Sequence, residues 1–150
     1  MSNRNIHEQL IKVRRWQRDQ QIVVVEAIAR QIGALRLEIE HLAESILAWS
    51  DARRALQSGV IKMADWRENE HHRSELLHQR DKLQAEVNVL TVQLSEQRQI
   101  LIDREKQLKQ VEKLHEIKQQ QYAAVVASAE QSEIDSWAGL QARMSRRTRP

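Results

Sequence analysis

From Val25 onward the apolar residues of this chain fall at Val25, Ile28, Ile32, Leu35, Ile39, Leu42, Ile46 and Trp49, with Leu56 one heptad further on. The steps alternate between three and four without a slip. A chain carrying that repeat has one narrow helical stripe to bury, and it buries it against another helix as a coiled coil. A second stripe follows Gly59, at Leu83, Val87, Leu90, Leu94, Leu101, Leu108, Val111, Tyr122 and Val125. No run is rich in aromatic and β-branched residues at period two, so strands are disfavoured.

The 150 residues fit one domain, and with 3 Gly, 1 Pro, no Phe and 30% charged residues the expected fold is all-α with no thick core. Cysteine is absent, which excludes disulfides and thiol chemistry and fits a cytosolic protein. Met1 to Leu10 holds no apolar stretch of the kind a secretory leader needs. The β-branched run Ile22–Val25 is far too short to span a bilayer, so no direct membrane insertion is expected. The net charge of +3 is unevenly spread. Residues 1–20 carry +3 and residues 136–150 carry +4, through Arg143, Arg146, Arg147 and Arg149, which leaves the middle mildly acidic.

Asn5 with Glu8 three residues later has the pattern of a capping box, so helix 1 is expected from about residue 5 to about residue 56. Gln57-Ser58-Gly59 is the natural stop, and the turn should occupy about 57–63. Asp65 and Glu68 offer a cap for helix 2, expected over about 64–142 and followed by a basic tail at 143–150. A connection this short favours one domain in the form of a long antiparallel coiled-coil hairpin whose second helix is longer than its first. Position i on helix 1 would then face about position 120 − i on helix 2. The apolar stripe of helix 1 weakens at Gln17, Gln20 and Gln21, and that of helix 2 at Gln97 and Arg104, so the polar gaps should lie at one level. A parallel homodimer would not require that match.

Helix 1 should cover helix 2 only to about residue 115. Beyond it, Tyr122, Val125, Val126, Ala129, Ile134, Trp137, Leu140 and Met144 still form an amphipathic stripe. Unpaired apolar surface marks an interaction site. Self-association of two overhangs is the plain alternative to a different partner.

Three Glu-x-x-His pairs, Glu38/His41, Glu75/His78 and Glu112/His115, have the spacing of di-iron helical bundles. The seam at Ile39 and Leu42 turns His41 away, and the matching carboxylates are missing, so no metal is expected; adjacent His71-His72 is no better placed. Gly33, Gly59 and Gly139 are isolated, which excludes a phosphate-cradling loop, and no nucleophile–base set is visible. The chain reads as non-enzymatic and without a cofactor. Trp49 and Trp66 flank the turn and should sit close together near the tip, as packing residues or as an aromatic hot spot. Trp16 is placed to pack on the polar gap, and Trp137 lies on the overhang stripe. In a hairpin both basic ends should meet at the open end.

The chain resembles the family of the flagellar export protein FliJ and its injectisome counterparts, the YscO-type stalk proteins. The residues that carry the resemblance are the basic helix start Ile11-Lys12-Val13-Arg14-Arg15, the break at Gly59 with Trp66 soon after, the Gln-rich stretch Lys118-Gln119-Gln120-Gln121, and the close Glu133-Ile134-Asp135-Ser136-Trp137-Ala138 followed by Met144 and an Arg-rich finish. The resemblance implies a two-helix stalk at the centre of a hexameric type III export ATPase, promoting its assembly and turnover. It also implies contacts with the membrane export gate protein and with export chaperones. Such a protein would be cytoplasmic, at the cytosolic face of the inner-membrane export apparatus, and a monomeric hairpin when free. The ATPase-interface candidates are then Ile134, Trp137, Leu140, Met144, Arg143, Arg146, Arg147, Arg14 and Arg15. The export-gate candidates at the tip are Leu42, Ile46, Trp49 and Trp66.

Two other functions compete. One is a homodimeric structural scaffold held through the overhang. The other is a nucleic-acid binder using the basic ends, against which the basic residues form no long continuous face and stacking aromatics are sparse. No nucleic-acid partner is expected.

Overall fold

A computed structural model describes residues 2–57 and 62–148, apart from the side chains of residues 2–4 and of Leu56. Two helices account for almost all of it: α1, Ser2–Gln57, and α2, Met63–Arg147. The fold is all-α, an antiparallel two-helix hairpin in which α2 is the longer helix, with no strand among the described residues.

α1 is already helical at Ser2, so Asn5 and Glu8 lie inside the helix and do not open it. Nothing among residues 2–4 breaks a helix, and a potential cap stops nothing that can propagate through it. The expected stop at Ser58-Gly59 lies outside the described residues. Asp65 is in the first turn of α2 rather than ahead of it, where its charge complements the helix dipole. The expected tail begins too early: residues 143–147 continue α2, with Arg146 and Arg147 in its last turn, again the favourable sign for that end.

The side chains that α1 buries or half-buries include an unbroken series at His7, Ile11, Arg14, Arg18, Gln21, Val25, Ile28, Ile32, Leu35, Ile39, Leu42, Ile46, Trp49 and Arg53. On α2 the same holds from Trp66 through Asn69, Arg73, Leu76, Arg80, Leu83, Val87, Leu90, Leu94, Gln97, Leu101, Arg104, Leu108 and Val111 to His115. Each series alternates three and four throughout. The heptad therefore does not lapse where the apolar residues thin out. It continues with polar side chains at the seam positions, the long ones packing their stems there and Gln21 and Asn69 buried outright.

The chain forms two compact units, Gln17–Arg104 and the residues up to Trp16 together with those from Glu105 onward. In the first, Ile32, Val87 and Leu94 are buried, with Val25, Ile28, Leu35, Ile39 and Leu90 packed against them. Pairs at rising positions of α1 meet falling positions of α2: Gln21 with Gln97, Trp49 with His72, Arg53 with Glu70. This is antiparallel packing, and each pair falls within a few residues of the expected reflection. In the second unit Ile11 and Leu108 are buried, Arg14 Nη1 donates to Gln107 Oε1 at 3.0 Å, and Arg15 pairs with Glu112 at 3.4 Å. The latter is an exposed pair and adds at most about 1 kcal/mol.

The expected meeting of polar gaps takes a specific form. Gln21 is buried, and its Nε2 donates to the Gln97 carbonyl oxygen at 2.9 Å and to Gln97 Oε1 at 2.8 Å. A buried amide inside an apolar seam costs desolvation unless it finds these bonds, and it finds them only when Gln21 faces Gln97. It therefore penalises every sliding register. The double substitution Gln21→Leu with Gln97→Leu is expected to leave stability unchanged or raise it by about 1 kcal/mol, because a buried polar pair rarely outperforms well-packed apolar side chains. The same double substitution should admit shifted registers, detected as disulfide trapping of off-register cysteine pairs introduced across the seam. A clear drop in melting temperature without loss of register would contradict this account.

Candidate functional site

Three surfaces emerge from this packing: the helix ends beside the connection, the start of α1, and the part of α2 that α1 does not cover.

Beside the connection, the indole of Trp49 packs at a tilt against His72 with ring centroids 4.4 Å apart, and the Arg53 guanidinium lies 4.3 Å above the ring of Trp66. Arg53 also pairs with Glu70 at 3.1 Å. The two tryptophans thus occupy successive levels of the seam. Trp49 lies against His72 and Trp66 against Arg53, about one helical turn apart along the seam, and each ring takes a partner other than its fellow. Leu42, Ile46, Trp49 and Trp66 are all half-buried, so all four gate candidates are seam residues with one edge open. Asn69, 4% exposed, sits among them with no hydrogen-bond partner for its Oδ1. Replacing both tryptophans by Ala should cost about 2 kcal/mol in total, less than two fully buried rings, because each is only half covered. Urea unfolding of the double variant checks this; a loss of 5 kcal/mol or more would make the pair a closed core.

An open groove of about 500 Å³ runs along the seam above Leu42 and Leu83, with Glu38, His41, Lys82 and Glu86 on its walls. His41 leans on Glu44 at 3.9 Å, with both side chains mostly exposed. Among the described residues no group of three or more His, Asp or Glu side chains is arranged to hold a metal ion, and no helix is long and apolar enough to cross a membrane.

At the start of α1, Lys118 Nζ donates to His7 Nε2 at 2.9 Å, and the His7 and His115 rings stand 6.2 Å apart. α1 therefore ends its cover of α2 near Lys118. Two expectations fail here. The basic ends do not meet: Arg143, Arg146 and Arg147 lie some 25 residues of helix further on, roughly 37 Å along α2. Arg14 and Arg15 are instead engaged with Gln107 and Glu112. Trp16 does not pack on the polar gap; it is 62% exposed, because positions 14 and 18 carry the seam and position 16 points outward. With Ile6, Leu10 and Val13, also exposed, Trp16 makes an outer apolar face on α1 that the sequence reading missed. Its signal was present in the spacing but lay one step from a stronger stripe.

The overhang of α2 is where expectation and structure coincide. Every described residue from Glu116 to Thr148 is exposed, including Tyr122, Val125, Ile134, Trp137, Leu140 and Met144. Trp137 is 68% exposed, which for an indole on a helix means no packing partner. Arg143, Arg146 and Arg147 follow directly along the same helix. No protein-family model matches the chain, and no curated protein and no solved structure does either.

Proposed function

We propose that this chain is a non-enzymatic central stalk of a type III secretion or flagellar export apparatus. In this role it binds and stimulates the hexameric export ATPase and links it to the export gate protein and to chaperones. The observation that carries the reading is the uncovered end of α2, where Ile134, Trp137, Leu140 and Met144 are exposed on a helix that finishes in Arg143, Arg146 and Arg147. A single helix entering a ring of identical subunits touches them unequally. Unequal contacts shift the nucleotide-site equilibria of those subunits without any chemistry by the stalk, since only differential binding moves an equilibrium. Arg14 and Arg15, held against α2, support the base of that helix rather than its end. The tip residues Leu42, Ile46, Trp49 and Trp66 remain the gate-facing candidates through their open edges.

The decisive experiment is the ATP hydrolysis rate of the same organism's export ATPase with and without this chain, together with co-elution of the two. Stimulation with co-elution supports the stalk. Neither, with a folded helical protein, removes it and leaves the scaffold reading, which the same uncovered stripe also favours.

A further inference from the structure

The overhang stripe is not a continuation of the hairpin seam. Carried on from Val111 and His115, the seam of α2 would run through Lys118, Tyr122, Val125, Ala129, Ser132, Ser136, Gly139 and Arg143. From Val126 a different phase, one residue later, carries the exposed apolar residues Val126, Trp137, Leu140 and Met144, with the charged Glu130, Glu133 and Arg147 at its other positions and Ile134 beside it. One residue is about 100° of helix, so this stripe faces away from the line that α1 covers. Its partner is therefore not more of the same hairpin.

The new stripe also has an order along its length: two acids, then an indole and a leucine, then a methionine and an arginine. Within the described residues none of Glu130, Glu133, Arg143 and Arg147 is in an ion pair. In an antiparallel helix pair the two heptad positions of one chain meet the opposite positions of the other. Centred between Ala138 and Gly139, that rule sets Trp137 on Leu140, Glu133 on Met144 and Glu130 on Arg147, and the two-fold axis repeats each contact. Ile134 then flanks the seam beside the stem of Arg143. A parallel pair would set Glu130 on Glu130, Glu133 on Glu133 and Arg147 on Arg147, like charges at every polar level.

We infer that the exposed stripe Glu130–Arg147 of α2 pairs antiparallel with the same stripe of a second copy of this chain, with Trp137 against Leu140 at its centre and Glu130 against Arg147 at its ends. The inference does not depend on the stalk reading. The overlap spans Glu130 to Arg147, about five turns, which places the interface among the small, weak ones. The free protein is thus a monomer when dilute and a dimer when concentrated. The pairing covers Ile134, Trp137, Leu140 and Met144, so a partner that uses those residues has to displace it.

The test uses sedimentation equilibrium of the full chain between about 5 and about 500 μM. The expected mass climbs from that of one 17.6 kDa chain toward twice that value. Glu130→Arg and Arg147→Glu should each weaken association about tenfold, two like-charge contacts replacing two pairs, and the double swap should restore it. Orientation is read by cross-linking, since the chain has no cysteine of its own. Glu130→Cys and Arg147→Cys chains should form a disulfide when mixed and not alone, because in the antiparallel pair each of these positions lies about 25 Å from its own copy. A mass that stays at one chain at every concentration overturns the inference. So does a disulfide formed by either cysteine chain alone, or a dimer that the charge reversals leave unaffected. None of these readouts involves an ATPase, so their failure is separate from any failure of the stalk.

Discussion

Removing residues 131–150 is expected to abolish stimulation of the export ATPase while leaving the paired helices intact. On the stalk reading the deletion takes away Ile134, Trp137, Leu140, Met144 and the three helical arginines, all of them exposed and none packed on α1. The buried residues Ile11, Ile32, Val87, Leu94 and Leu108 lie far from the cut. Stability of the pair is held by those residues, so its urea midpoint should move by less than the error of the measurement. The fall in ATPase turnover should reach the unstimulated rate, since a contact made only by the deleted segment is lost outright. Unchanged stimulation would move the contact elsewhere, and the outer face of α1 at Ile6, Leu10, Val13 and Trp16 is the next place to look. A collapse of helicity instead would show that the overhang supports the fold, contrary to its exposure.

Val87→Asp should be among the most damaging single substitutions in the chain, and Val89→Asp close to silent. The two valines stand two residues apart on one helix. Val87 is 3% exposed and packs with Ile32 and Leu94; Val89 is 58% exposed. At position 87 the aspartate would either lose its hydration without a cationic partner or pull the helices apart, a cost of about 3 kcal/mol or more. At position 89 the same side chain stays in water, and the change should be within about 0.5 kcal/mol. Helix propensity is nearly equal for the two substitutions, so the difference in urea midpoint isolates burial. Equal effects would mean that the seam does not run where the structure puts it.

Much of this architecture can be read from spacing alone. The stripe at Val25, Ile28, Ile32, Leu35, Ile39 and Leu42 is buried or half-buried throughout, as are Leu83, Val87, Leu90 and Leu94 opposite. What spacing of apolar residues did not reveal was the continuity of the heptad through His7, Arg14, Arg18 and Gln21. A search for hydrophobic residues passes over long polar side chains that occupy seam positions by burying their stems. The same habit hid Asn69 and Arg53. Trp16 failed for the complementary reason: an apolar residue is not bound to the seam when its position points outward. Levels along the helices were predicted to within a few residues, and Trp49 and Trp66 show what a few residues mean. One turn separates two rings that touch from two rings that each take a polar neighbour.

The sequence by itself determined that the chain is helical, that it folds back on itself, and that the end of its second helix has apolar residues to spare. Those facts follow from heptad spacing, from a single glycine-marked break, and from unequal helix lengths, all of which are local or additive. Only the tertiary structure decided which residues share a level. It placed Gln21 on Gln97 and Arg53 over Trp66, kept the basic start of α1 apart from Arg143, Arg146 and Arg147, and left the Trp137 stripe one phase away from the line that α1 covers. Level and phase depend on the register of one helix against another. Register is set by the whole length of the interface at once, through the desolvation of each polar group that a wrong offset would leave unpaired.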